Sequence, residues 1–349
     1  MKELMEALRL KIDSYIDKGL LPSASLGILD NDRLYTYQKG YMNVVNSKQP
    51  LEDDPIYDLA SLSKVTVTVM LILKLIEYGK LSLDTKVKDI LLDFNDDNIT
   101  ILHLLIHTSG LPADDKDYKQ CVDKKSLYGF INHLPKEPLN DKVIYSCFNY
   151  LLLGFIIDQL EENMEIFAKE VLFEPLNMTS TCYNPQTKGL IHRCVATELS
   201  EKRGLIRGEV HDGKAFIAQG VAGNAGVFST VSDLAKLTRM ILDNGVYQDR
   251  VIFNEKSISM LDKCYTKDLN ESRSLGWFYK DKRCEFTKNQ SRCLYHTGFT
   301  GTSMYIDLDR RLSIILLTNR VHPTRENMHI AEIRSEIHSL ILNYIDNQR

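Results

Sequence analysis

Hydrophobic and polar positions change their period several times along this chain, and the changes mark its elements. In residues 1–18 the apolar positions Leu4, Met5, Leu8, Ile12, Tyr15 and Ile16 recur at helical spacing among charged residues. That pattern predicts an amphipathic helix packed on the body of the protein. Residues 23–30 and 33–39 read as two strands joined by a turn at Asn31-Asp32. Near the other end, 303–308 and 312–318 read as a second strand pair turning at Asp309-Arg310, and 274–280 as a further strand. Residues 327–346 return to a helical period. Strands and a helix therefore stand at both ends of the chain.

The middle, roughly 65–265, reads mostly as helices and long loops. Residues 65–78 are apolar almost all round, which predicts a buried helix stopped at Gly79. Residues 101–107 and 145–161 also read as helices. Thr230-Val-Ser-Asp233 has the form of a capping box opening a helix to about Leu242. The layout predicts an α+β fold, with an antiparallel sheet flanked by helices and an inserted all-helical region. The expected division is 1–75 with 270–349 as the sheet domain and 76–269 as the helical insertion, with the active site in the groove between.

Composition narrows the function. The chain has 349 residues, 44 % hydrophobic and 26 % charged, with a formal net charge of −4. Nothing basic points to nucleic acid. No segment is apolar enough to span a bilayer, and charges interrupt the first eighteen residues where a signal peptide needs an apolar run. The seven cysteines are scattered and form no C-x-x-C pair. Reduced thiols in a cytoplasmic protein are therefore expected, without a disulfide framework, metal or organic cofactor.

Three motifs carry candidate chemistry. Ser61-Leu-Ser-Lys64 precedes the apolar helix. At i and i+3 a serine and a lysine share one helix face. A lysine in apolar surroundings is expected to have a lowered pKa and to help deprotonate the serine, a poor nucleophile on its own. Tyr145-Ser-Cys147, with Asn149 close behind, opens the next helix, and its phenol can shuttle a proton. His296-Thr297-Gly298 ends a predicted strand that would lie against a substrate, the glycine permitting close approach. The N–H groups of Ser61 and Phe299 would form an oxyanion hole. Tyr41-Met-Asn43 fits the tyrosine pattern by letter but follows a strand and is set aside. So are His103 and His107 as a metal pair, Gly220, Gly223 and Gly226 as a phosphate loop, and His322 as a base.

In this order, and with their surroundings, the motifs resemble the class C β-lactamase, penicillin-binding-protein and serine esterase superfamily. The strings are DLASLSKV (58–65), ILHLLIHTSGLP (101–112), VIYSCFNYLLLG (143–154), GVAGNAGVFSTVSDLAKL (220–237), HTGFTGTSMYIDLD (296–309) and LLTNRVHP (316–323). The resemblance implies an acyl-enzyme on Ser61, with Lys64 and Tyr145 handling its proton. It implies a substrate held by His296, Thr297 and Gly298, with Cys147 and Asn149 at the tyrosine end.

Two residues depart from the family pattern. His296 stands where a lysine is common, as it also does among esterases and peptidases of the group. Cys147 stands where Asn or Asp is usual, and a thiol is a weak hydrogen-bonding group. A small ester, amide, β-lactam or short peptide is the expected substrate. The alternative is a non-catalytic relative that binds a ligand in the same groove.

Overall fold

A seven-stranded antiparallel sheet is assembled from the two ends of the chain. In the computed structural model, which describes residues 1–288 and 290–348, its strands are β1 (Ser23–Asp30), β2 (Arg33–Asn43), β3 (Gln49–Pro50), β4 (Phe278–Tyr279), β5 (Cys293–Thr297), β6 (Ser303–Asp307) and β7 (Leu312–Thr318). Their order is β4-β5-β6-β7-β1-β2-β3, and every pairing is antiparallel. The pair β7–β1 joins the two ends, with Ile314 opposite Ile28 and Leu316 opposite Leu26.

Successive side chains of a strand face opposite ways, and here both faces are covered. Leu312, Ile314 and Leu316 of β7 pack with α1 (Lys2–Asp17) and the C-terminal helix, through Leu8, Ile12, Ile337 and Ile341. Ile315 and Leu317 face the other way, into the larger core with Leu234 and Leu237. This two-sided burial is why β7 reads as a continuous apolar run. The helix Val231–Leu242 sits so close to β1 that a Cβ on Gly27 would come 2.4 Å from Val231 Cγ1. It starts where the sequence predicts, the Thr230 hydroxyl accepting from the Asp233 N–H.

Three expectations need correction. The strand expected at 274–280 is only Phe278–Tyr279, because Gly276 turns the chain with φ +81° and its N–H bonds to Leu105 C=O. The helix expected from residue 65 opens as a π-helical turn, Lys64–Thr68, before the α-helix Val69–Glu77. The middle of the chain also holds strands: a hairpin of Ala196–Ser200 with Gly204–Arg207, and a small sheet in which Val227–Ser229 pairs with Tyr57–Asp58 and Cys182–Tyr183. These strands are short and carry polar residues, so their period is weak. Among the described residues no helix is long and apolar enough to cross a membrane.

Candidate active site

Ser61 stands on a tightly fixed turn at the start of the π-helical segment. The carboxylate of Asp58, buried beneath it, accepts from the N–H of Ala60 at 2.8 Å and of His211 at 2.7 Å. Burial raises the Asp58 pKa, and these N–H groups work against that rise. Ala60 takes a left-handed φ of +47°, a costly conformation for a residue with a Cβ. Strain of this kind is often held at functional turns.

Lys64 lies one turn on, fully buried. Its ammonium donates to Ser61 Oγ at 2.9 Å, to the backbone oxygen of Asn224 at 2.8 Å and to Cys147 Sγ at 3.6 Å. An ammonium has three hydrogens, and all three have an acceptor. The expectation of a lowered lysine pKa is corrected here. Burial is the largest single influence and lowers it, but Cys147, Tyr145 and Asp212 together outweigh burial, so the pKa is raised. The Gly220–Gly226 loop supplies the Asn224 carbonyl and so borders the site, with Thr68 Oγ1 donating to Gly223 C=O at 2.6 Å.

Tyr145 precedes the helix Cys147–Glu161 and lines the same groove as Ser61. Its ring centre is 5.3 Å from Lys64 Nζ, 5.6 Å from the Arg273 guanidinium and 4.7 Å from the ring of His107. His107, set aside as a ligand, is a scaffold. It has φ +63°, its C=O accepts from Ile144 N–H, and its Nδ1 accepts from Ser146 N–H at 3.2 Å. Those two bonds clamp the segment on either side of Tyr145. Cys147 reaches the groove. Asn149 does not: it is fully buried, held by Ser109 Oγ and His107 Nδ1. Its assignment to substrate binding is therefore corrected to a structural one. Residues two apart on a helix point to different sides, and Asn149 points inward.

The strand β5 brings His296, Thr297 and Gly298 to the opposite wall, with Phe299 at the rim. A Cβ on Gly298 would meet Thr302 Oγ1 at 2.1 Å and Leu59 O at 2.4 Å. The missing side chain thus lets the strand end close on the nucleophile turn. Thr300 Oγ1 donates to Asp58 O at 2.8 Å and Thr302 Oγ1 to Leu59 O at 3.0 Å, fastening the two walls. In the turn the N–H groups of Leu59, Ala60 and Leu62 have acceptors within the protein, and in the loop those of Gly298 and Gly301 do. Among the described residues the amides of Ser61 and Phe299 have no acceptor. The Phe299 ring stacks on His211 and under the Arg320 guanidinium, 5.6 and 4.4 Å between centres.

The groove encloses about 540 Å³ and is also lined by Asp212, Glu271, Arg273, Arg283, Arg320 and Arg334. The motifs pointed to none of these, since each comes from a loop or a distant helix. Arg273 and Arg283 pair with Glu271. Arg320 donates to the C=O of Phe299, Arg325 and Asn327, and Arg334 to the C=O of Gly298 and Thr302. The remaining histidines set aside earlier lie outside the groove: His103 caps a helix with Thr100, and His322 accepts from Val44 N–H. Tyr41 lines a separate cavity.

A serine, a lysine, a tyrosine and a strand triplet thus meet across one groove, and a family model described as Beta-lactamase matches residues 8–337. The chain belongs to the Beta-lactamase family. Among its relatives is an N-acetylmuramyl-L-alanine amidase of Bacillus subtilis (strain 168), 31 % identical over 89 % of this chain and 81 % of the relative. Another is a protein of Escherichia coli (strain K12) provisionally named a D-alanyl-D-alanine carboxypeptidase, 32 % identical with the same coverage. Among solved structures, the class C beta lactamase from Rhodobacter sphaeroides superposes with a TM-score of 0.74 at 20 % identity, covering 96 % of this chain and 98 % of that one. The Beta-lactamase family fold is thereby the fold of this chain.

Proposed function

We propose that this chain is a serine hydrolase that opens the ester or amide carbonyl of a small, negatively charged acyl compound through an acyl-enzyme on Ser61. The observation that carries the reading is the 2.9 Å bond from Lys64 Nζ to Ser61 Oγ at the wall of an open groove. With its pKa raised, Lys64 keeps its proton and polarises Ser61 Oγ, while Tyr145 carries the Ser61 proton to the leaving group. The N–H groups of Ser61 and Phe299 receive the oxyanion. Water then attacks the acyl group along the same path.

The charge of the substrate follows from Arg320 and Arg334. Among the described residues neither forms a direct ion pair with a carboxylate, although both line the groove, and Glu198, which acts on Arg320, is paired with Arg325. Burial lowers the pKa of both, that of Arg334 to about 10, and a neighbouring cation adds to the fall in each case, Arg325 for Arg320 and Arg320 for Arg334. An anionic group on the substrate would relieve that unfavourable situation. The names of the relatives, an amidase and a carboxypeptidase, make short peptides with a free carboxylate natural candidates. The seven free cysteines suit a reducing compartment such as the cytoplasm.

The test is turnover of a neutral p-nitrophenyl ester, an anionic one and a penicillin by wild type and Ser61→Ala. Wild type should favour the anionic ester, and the variant should lose at least about a thousandfold in kcat. Equal rates for the two proteins would refute the proposal.

A further inference from the structure

The Phe299 N–H and the Gly298 C=O belong to one peptide unit. That unit is trans, so the two groups point in opposite directions. The Gly298 oxygen accepts twice, from Gly301 N–H at 3.1 Å and from Arg334 Nη2 at 2.7 Å. The Phe299 N–H is thereby aimed away from the guanidinium, and it has no acceptor among the described residues. The same Nη2 donates to Thr302 O at 2.7 Å, an oxygen that also accepts from Gly298 N–H at 2.7 Å. One nitrogen of Arg334, carried by the C-terminal helix (Ile330–Gln348), thus closes the loop that presents Phe299.

The far side of Phe299 is braced as well. Its own C=O accepts from Arg320 Nε at 2.9 Å. The Phe299 N–H therefore lies between two carbonyls, each ending on a guanidinium. The ring is 49 % exposed, so core packing does little to hold it. It lies instead within 19° of parallel to the His211 ring, and His211 N–H bonds to the Asp58 carboxylate that also takes Ala60 N–H, next to Ser61.

An oxyanion donor helps only if it is fixed before charge develops. A charged donor makes a stronger hydrogen bond than a neutral one. Electron density drawn to the Gly298 oxygen also makes the conjugated Phe299 N–H a better donor. Burial lowers the Arg334 pKa to about 10, which still leaves it charged at neutral pH.

We infer that Arg334 is a positioning residue for the oxyanion hole: through the Gly298 carbonyl it aims and polarises the Phe299 N–H, while Arg320 braces the Phe299 carbonyl. This role toward the reaction does not depend on any charge on the substrate. The inference rests on the reading of Ser61 as nucleophile and of Phe299 N–H as oxyanion donor.

The experiment compares p-nitrophenyl acetate with its thiono analogue, in which sulfur replaces the carbonyl oxygen, each rate divided by that of hydroxide-catalysed hydrolysis. Both esters are neutral, so an anion site plays no part. Sulfur accepts hydrogen bonds weakly, so the oxygen-to-sulfur ratio reports how well the donors fit an oxyanion. Wild type should favour the oxygen ester. Arg334→Met should lower kcat on that ester by at least about tenfold, leave KM within about twofold, and lower the ratio by a comparable factor. Arg334→Lys, which keeps a cation, should recover part of both. Arg320→Met, which frees the Phe299 carbonyl, should move the ratio the same way and serves as the test should Arg334→Met fail to fold. An unchanged kcat on the oxygen ester, or equal losses on the two esters, would overturn the inference. A wild type with no preference for oxygen would remove the oxyanion hole and the inference with it. Failure of the nucleophile reading looks different, as equal turnover by wild type and Ser61→Ala.

Discussion

Cys147 Sγ sits 3.6 Å from Lys64 Nζ and is the foremost influence raising the lysine pKa. The lysine therefore holds its charge to higher pH than its burial alone would allow. Removing the sulfur with Cys147→Ala should move the alkaline fall of kcat/KM to lower pH. Cys147→Asn, which restores an oxygen acceptor, should move it back. A pH–rate profile on a neutral ester reads both, and an alkaline limb identical in wild type and Cys147→Ala would count against the lysine as the required cation.

Gly298 has no room for a Cβ between Thr302 Oγ1 and Leu59 O. Gly298→Ala must push β5 away from the nucleophile turn. Overpacking of this kind costs about 1–3 kcal/mol. Chemical denaturation should show that loss, and kcat should fall further than the lost folded fraction explains. A variant as active as wild type would mean that the spacing between the walls is not critical.

Ala60 bears a left-handed φ directly before Ser61. Glycine adopts that conformation freely but costs more unfolded-chain entropy. The strain relieved is the larger quantity, so Ala60→Gly should stabilise the fold by up to about 1 kcal/mol. Thermal unfolding at fixed pH measures it, and a lower Tm would show that Ala60 is not strained.

Arg320 and Arg334 act on substrate through charge if the proposed function holds. Raising the salt concentration should then raise KM for an anionic p-nitrophenyl ester several-fold and leave the neutral ester nearly unchanged. Parallel behaviour of the two esters would place the anion elsewhere or remove it.

Much of this was legible in the sequence where a local pattern carries the information. The bounds of β1 and β7, Thr230 as a cap, the positions of Ser61, Tyr145 and His296 around one groove and Lys64 buried behind Ser61 all follow from strings of a few residues. What escaped depends on distant partners. The charge of Lys64 is decided by burial against Cys147, Tyr145 and Asp212, each more than eighty residues away in sequence. The guanidinium groups of Arg273, Arg320 and Arg334 reach the groove from a loop, a strand end and the last helix, and no spacing announces them. Asn149 looked available by proximity to Cys147, but the buried Ser109–His107 pair claims it. Gly298 looked like a place for a substrate backbone, and the protein's own Leu59 carbonyl fills that place.

The most direct test of Ser61 as the acylated nucleophile is intact-mass spectrometry after treatment with a fluorophosphonate and, separately, with a penicillin, on wild type and Ser61→Ala. A single fluorophosphonate adduct on wild type, mapped to Ser61 and absent from the variant, is the predicted result; a penicillin adduct in addition would show that the groove admits β-lactams. An unlabelled wild type, or equal labelling of both proteins, would contradict the account and favour a groove that binds its ligand without turning it over.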